Sequence, residues 1–357
     1  MNRRDLINAS GPDLNRDRGG GRIAAPEETG AASTVERSAV ATGARGRVWL
    51  TGQRPPRSQR AGRYVPGSVA HPAKMLPAIA AHAIATYSQP GDLVLDPMCG
   101  IGTTMVEAIR AGRRAVGVEY EPRWAHLAAA NLALAAADGH TTPANVVRGD
   151  ARQLAHLLPD ELRSQVGLIV TSPPYGPSTH GHVTHDPSNK IVKINHRYGS
   201  ILDRGNLANI GHHRLLVGFT RILTAATEFL QPGGHVVITV RPWREHAELI
   251  DLPAQITTCG EAAGLIPVQR CVALLGRITE HGHLVAQGSF FQRDFITKQR
   301  RAGLPLHLIA HEDVIVLAKP ATTAAAAASA VPPAAARPPQ ASLPHLAAGG
   351  TDERTAA

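Results

Sequence analysis

Cysteine is scarce in this 357-residue chain: three residues, Cys99, Cys259 and Cys271, with no CxxC spacing and no even set. That excludes a disulfide framework and a structural zinc site of the usual kind, and it fits a reducing compartment. Long apolar runs are lacking too. No stretch reaches the ~20 apolar residues that a membrane helix needs, and the first twenty residues contain no apolar core of a secretion signal. The expectation is a soluble cytoplasmic protein, associated with the nucleoid if its partner is DNA. Residues 1–65 have few bulky apolar side chains and are rich in Arg, Gly, Ser and Thr. Such a composition cannot bury enough surface to offset the entropy of ordering, so residues 1–66 read as a disordered basic tail. Beyond Pro320 the run ATTAAAAASAVPPAAARPPQ offers nothing to pack, and residues 320–357 read as a second, Ala/Pro-rich tail. Residues 67–319 are the size of one α/β domain.

The formal charge of +9 is concentrated outside that domain. Residues 1–65 hold 12 Arg against 6 acids, and residues 319–357 hold 3 basic against 2 acidic residues, which leaves only +2 for the folded part. A basic arm attracts DNA and RNA alike through counterion release; it also simply keeps a tail soluble.

Within the domain, apolar spacing alternates between helix and strand. A leading helix between Pro72 and Ser88 precedes a strand at Leu93–Leu95, a Gly-containing turn and a helix from Thr103 to Ala111. Then follow a strand at Arg114–Glu119, a helix at Pro122–Ala137, and strands at Ala144–Arg148 and Gly167–Thr171. A helix at His212–Leu230, a strand at His235–Val240, a helix at Leu252–Ala263 and strands at Ile266–Leu274 and Glu312–Leu317 complete the series. Strands alternating with helices predict crossover connections: a doubly wound, mostly parallel, seven-stranded sheet of Rossmann-like α/β type. Residues 176–211 and 275–306 lose the periodicity and read as irregular loops long enough to be functional.

The densest signal is LDPMCGIGTT, residues 95–104. A strand ends at Asp96, and Gly100 and Gly102 let the backbone approach a ligand at the N-terminus of the next helix. Met105 stands where a dinucleotide fingerprint needs its third Gly, and no Gly-Lys-Ser/Thr follows, so neither that fold's fingerprint nor a P-loop is present. Glu119 ends the second strand, where a carboxylate can accept hydrogen bonds from both hydroxyls of a ribose, and Asp150 ends the third. An acid at each of two successive strand ends beside a Gly turn suits an adenosine; helix caps or turn formers are the structural alternative.

At the end of the fourth strand stands TSPPY, residues 171–175. Pro173 and Pro174 stiffen the loop and leave their carbonyls free to accept hydrogen bonds. Ser172 adds an acceptor, and Tyr175 a flat ring. Together they can hold an amino group on a planar base. Tyr175 would stack on the base, while Ser172 and the Pro173 carbonyl would accept the two N–H bonds and pull them out of plane, freeing the lone pair for attack.

These residues resemble the amino-directed DNA methyltransferases, the N-4-cytosine and N-6-adenine group. HPAKMLP, residues 71–77, is similar to that family's first methionine-binding segment, DPMCGIGTT to its cofactor loop, and TSPPY to its catalytic loop. The resemblance covers about residues 70–319. It implies S-adenosylmethionine as cofactor, held by His71, Lys74, Asp96, Pro97, Gly100, Gly102, Thr103, Thr104, Glu119, Asp150 and Thr171. It also implies direct in-line methyl transfer to a base flipped onto Ser172, Pro173, Pro174 and Tyr175. TSPPY is more typical of members that methylate cytosine, and an Asp or Asn in place of Ser172 of adenine methylators. DNA is then the expected partner ahead of RNA. No metal is required, and TSPPY contains no Cys nucleophile for methylation at ring carbon five. The large target-reading domain of sequence-specific members is missing, which leaves residues 176–211 and 275–306 as substrate-recognition loops. In the first, Lys190, Lys193 and Arg197 are expected near phosphates. The histidines there (His180, His182, His185, His196, then His212 and His213) lack the spacing of a metal site. Two rival readings stand beside this one. The first is an RNA methyltransferase acting on the amine of guanine, whose relatives usually carry Asp before the prolines and an added RNA-binding domain. The second is a protein that binds the cofactor or DNA without turnover.

Overall fold

A computed structural model describes residues 46–174, 182–185, 191–194, 206–207, 211–245, 248–286 and 290–321. Its main sheet uses β1 (Val48–Trp49), β2 (Leu93–Asp96), β3 (Arg114–Glu119), β4 (Ala144–Arg148), β5 (Val166–Thr171), β8 (Leu230–Val240), β11 (Ile266–Leu274) and β14 (His311–Ala318). Three hairpins supply the remaining strands: β6 (His182–His185) with β7 (Ile191–Ile194), β9 (Trp243–Glu245) with β10 (Glu248–Ile250), and β12 (Gly276–Ile278) with β13 (Leu284–Ala286). The helices are α1 (Pro56–Arg60), α2 (Pro77–Tyr87), α3 (Thr103–Arg110), α4 (Pro122–Ala137), α5 (Leu154–Leu157), α6 (His212–Phe229), α7 (Leu252–Ala262) and α8 (Phe290–Arg301).

Across the main sheet the order is β1-β11-β14-β8-β5-β2-β3-β4. Strands β8, β5, β2, β3 and β4 run parallel, and β14 lies antiparallel between β8 and β11. The chain thus winds outward in both directions from the β2/β5 pair. In open α/β sheets the crevice at such a reversal, beyond the carboxyl ends of the strands, is where ligands bind. Side-chain alternation along each strand feeds two cores. Val94, Val170, Val237 and Val314 point to the face covered by α2, α3 and α4; Leu95, Ile169, Val236 and Ile315 point to the face covered by α6 and α7.

The doubly wound sheet is as expected, with one strand more than the seven predicted. The addition, β1, comes from the segment expected to be a tail up to residue 66. Residues 46–66 are folded, and the reason is polar anchoring where apolar periodicity is weak. Buried Gln59 donates to the Thr51 and Arg54 carbonyls and accepts from Ala78 N–H at the start of α2. The Tyr64 hydroxyl donates to Glu107 on α3 at 2.9 Å, Arg63 pairs with the same carboxylate at 2.5 Å, and Val65 N–H donates to Asn131 on α4. Trp49 is buried and stacks 4.4 Å from the His82 ring. The rest of that expected tail, residues 1–45, lies outside the described residues, as do residues 322–357 of the second.

Two expected irregular loops also carry structure. Within 176–211 the described residues form the β6/β7 hairpin and the pair 206–207, while Lys190 and Arg197 lie outside the described residues. Within 275–306 stand the β12/β13 hairpin and α8, whose Asp294–Lys298 pair at i,i+4 and basic last turn suit a helix. Apolar residues are too few there to signal that helix from spacing.

Gly117, midway along β3, shows how closely α3 seats on the sheet. A Cβ at that position would lie 2.3 Å from Met105 Sδ and 2.9 Å from Cys99 Sγ, and Met105 is fully buried with nowhere to swing. Gly117→Ala should therefore cost about 1–3 kcal/mol through overpacking. Urea unfolding checks it, and an unchanged midpoint would refute this account of the α3 seat.

Candidate active site

Strand β2 delivers Asp96 to the carboxyl edge, where it is buried. Thr104 Oγ1 donates to one of its oxygens at 2.7 Å and Met98 N–H to the other at 3.1 Å. Burial pushes its pKa up to about 6, with these hydrogen bonds opposing. The turn that follows needs glycine at two points: Gly100 at φ +54° and Gly102 at φ +80° occupy the left-handed region. Space is equally tight at Gly100, where a Cβ would sit 2.9 Å from His71 Nε2. Gly102 N–H closes the turn onto the Cys99 carbonyl and α3 begins at Thr103, so the free N–H groups of its first turn face the crevice side of the sheet.

Glu119 ends β3, also buried, and performs a task that its place in the sequence does not disclose. Its two oxygens accept from the backbone N–H groups of Gly100 and Glu121, each at 2.8 Å. The carboxylate therefore holds the glycine turn in shape. Burial raises its pKa to about 7; the neighbouring Glu121 and Asp96 add to that rise, and the two N–H donors oppose it.

Asp150, at the end of β4, is half-buried and caps the short 3-10 turn Ala151–Gln153, accepting from Arg152 N–H at 3.0 Å and pairing with the Arg152 guanidinium. It is a cap and a cavity-wall residue at once. His71 is buried, accepts from Ala73 N–H at its Nδ1, and sets its ring edge against Trp124, centroids 4.6 Å apart. Lys74 folds back to donate to the His71 and Val69 carbonyls, and burial beside Arg60 lowers its pKa to about 8.

One cavity of about 310 Å³ joins these parts. That is within the roughly 300–1,000 Å³ of small-molecule sites. Of the predicted residues, His71, Lys74, Asp96, Pro97, Gly100, Thr103, Thr104, Glu119 and Asp150 line it, together with Ser172, Pro173 and Pro174 from the end of β5. Gly102 and Thr171 stand behind the wall: Gly102 is the residue before α3, and Thr171 is buried as the last residue of β5. Tyr175 lies outside the described residues. Sequence reasoning missed Tyr120, Asn206, Arg241 and Glu312, which also line the cavity. Tyr120 and Arg241 each follow the last residue of a parallel strand, a position that the carboxyl-edge rule could have flagged. Asn206 donates to Glu121 at 2.6 Å from a segment without periodicity, and Glu312 is the second residue of an antiparallel strand. Among the described residues no group of three His, Cys, Asp or Glu is placed to hold a metal ion, and no helix is long and apolar enough to cross a membrane.

Comparison with known proteins gives a family match. The family model described as DNA methylase, for N-6 and N-4 amino methylation, matches residues 22–130, which include the 71–77 segment, the 95–104 turn and Glu119 but not TSPPY. Among curated proteins, a tRNA (guanine(10)-N2)-dimethyltransferase of Methanocaldococcus jannaschii is 34% identical over 113 residues, covering 30% of this chain and 31% of that protein. One of the same name from Methanothermobacter thermautotrophicus is 38% identical over 86 residues, covering 24% and 23%. The chain therefore spans less than a third of the length of these relatives. Among solved structures, TrmN from Thermus thermophilus aligns over 73% of this chain and 53% of its own, with 18% identity and a TM-score of 0.42. A SAM-dependent methyltransferase from Methanosarcina mazei aligns over 67% and 97%, with 13% identity and a TM-score of 0.37.

Proposed function

Starting from the match to the amino-directed DNA methylases over residues 22–130, we propose that this chain methylates an exocyclic base amine in DNA, cytosine N-4 ahead of adenine N-6, with S-adenosylmethionine as cofactor. The observation that carries the reading is the single cavity whose wall joins the glycine turn and strand-end acids to Ser172, Pro173 and Pro174. The donor set fits the cofactor. Gly100 leaves a cradle that a side chain would fill; Glu119 would accept from the vicinal hydroxyls, Asp150 would sit beside the adenine, and His71 to Met75, which line the same cavity, would hold the methionine end. When bound, S-adenosylmethionine supplies a methyl group on a positively charged sulfur.

The chain's own residues do the rest. Ser172 Oγ and the Pro173 carbonyl accept the two N–H bonds of the amine and draw them from the base plane, so the nitrogen lone pair leaves the ring's π system. Tyr175 stacks on the base, which is extruded from its duplex because a stacked amine offers no line of attack. Asp96 and Thr104 fix the floor of the turn. Catalysis is then positioning plus hydrogen bonding at the amine, with neither metal nor covalent intermediate. Residues 176–211 and 275–306 would contact the nucleic acid.

Titration of Glu119 gives a pH signature. Ribose hydroxyls donate to an ionised carboxylate, and burial raises the pKa of this one to about 7. Cofactor affinity should rise about tenfold from pH 6 to pH 8 and level off above, with about half a proton released on binding at pH 7. Calorimetry in buffers of different ionisation enthalpy measures both, and Glu119→Gln should flatten the profile. A pH-independent Kd in the unmodified protein would contradict the role. In the protein without cofactor the same raised pKa favours the folded state at acid pH, and that contribution is lost as pH rises through about 7.

The named activity of the two archaeal relatives favours a second reading, methylation of the guanine amine in tRNA. Transfer of labelled methyl to amplified, modification-free genomic DNA and to total RNA in parallel separates the two. The first reading expects label in DNA, and label confined to RNA would overturn it.

A further inference from the structure

Arg241 and Glu312 form the charged part of the cavity wall that the cofactor does not need. The sheet register places them. Thr171 of β5 pairs with Ile238 of β8, and Val240 of β8 pairs with Asp313 of β14. Along the carboxyl edge the order is therefore Ser172, Arg241, Glu312, on the opposite side of β2 from the acids of β3 and β4. All five residues line the cavity, and Glu119 and Asp150, proposed to hold the nucleoside, stand across the sheet's reversal from Ser172, Arg241 and Glu312. Alternation along β14 separates two acids: Asp313 is taken by Arg270 at 2.9 Å, while Glu312 lines the cavity. Burial pushes the Glu312 carboxyl up, and the charge of Arg241 pulls it back.

We infer that Arg241 is a specificity-determining residue that donates to the Watson–Crick ring nitrogen beside the target amine, with Glu312 holding it in place; this rests on the proposed function. A guanidinium has five N–H donors, no acceptor, and keeps its proton at any working pH. It pairs with cytosine N3 or adenine N1, both Watson–Crick acceptors adjacent to the amine, and opposes the Watson–Crick edge of guanine, whose N1 carries a hydrogen there and whose only acceptor beside the amine, N3, faces the other way. Glu312 has a second effect. The amine nitrogen becomes positive as it takes the methyl group, and a lone cation at the wall would resist that charge; the carboxylate across the ladder offsets it.

The test uses full-length protein and a duplex carrying the methylated site, located by sequencing DNA that the enzyme has modified. At the target position the duplex carries cytosine or 3-deazacytosine, or, if adenine is the methylated base, adenine or 1-deazaadenine. Wild type should lose about 10- to 100-fold in kcat/KM on the deaza base, the worth of a lost base contact. Arg241→Met should lose as much on the normal base, lose little more on the deaza base, and keep its Kd for S-adenosylmethionine within twofold. Arg241→Lys, which keeps charge and stem, should fall between and guards against a folding defect in Met. A full deaza penalty retained in Arg241→Met, or a cofactor Kd that collapses with it, overturns the inference while leaving the proposed function intact. Absence of wild-type methylation at cytosine or adenine in any DNA overturns both.

Discussion

Replacing Ser172 by alanine should lower the single-turnover rate about 100-fold while leaving cofactor affinity within a factor of two. The size follows from removing one preorganised hydrogen-bonding group at the reacting atom, which costs roughly 10²–10³ in comparable sites. The asymmetry follows from place. Ser172 stands at the end of β5, across the sheet's reversal from Glu119 and Asp150, the residues proposed to hold the nucleoside, and its hydroxyl is proposed to face the amine. The Pro173 carbonyl still accepts one N–H, so activity falls without vanishing. Rapid-quench transfer and calorimetry provide the two numbers. Equal losses in rate and affinity would show that Ser172 serves the cofactor and would remove it from the catalytic role.

Glu119→Ala should do the reverse and more: cofactor affinity about 100-fold weaker or worse. Two charge-assisted hydrogen bonds to the ribose, each worth about 1.5–3 kcal/mol, are lost together. The same substitution strands the N–H groups of Gly100 and Glu121, which now donate to that carboxylate at 2.8 Å, so the glycine turn loses its tether as well. At saturating cofactor the rate should recover far better than that of Ser172→Ala. Titration calorimetry together with rates at rising cofactor concentration checks it, and an unchanged Kd would rule out a ribose at Glu119.

Most of the sheet could be read from the sequence because its central strands β2, β3 and β5 are buried along nearly their whole length and its helices begin and end on strong signals. Arg114–Glu119, Pro122–Ala137 and Ala144–Arg148 coincide with the expected bounds, and Pro122 at the first turn of α4 marks its start. The glycine turn was legible because a strand, two glycines and a helix stand adjacent in the chain. What escaped depends on contacts between distant residues. Gln59, Tyr64 and Arg63 fold residues 46–66 through hydrogen bonds to Thr51, Ala78 and Glu107, a pattern with no period. Asp150 reads as a ligand for adenine or as a cap, and it caps Arg152 while facing the cavity. Glu312 escaped for a topological reason. Because β14 runs antiparallel to its neighbours, its beginning and not its end reaches the carboxyl edge, and only the strand order discloses that.

The central claim is methyl transfer to a base amine in DNA, and its most direct test is nucleoside mass spectrometry on nucleic acid from a modification-free host expressing this chain. The account predicts N-4-methylcytosine, or failing that N-6-methyladenine, in the DNA of cells carrying the wild-type chain, and its near disappearance with Ser172→Ala. Unmodified DNA together with new N-2-methylguanosine in the RNA would contradict it.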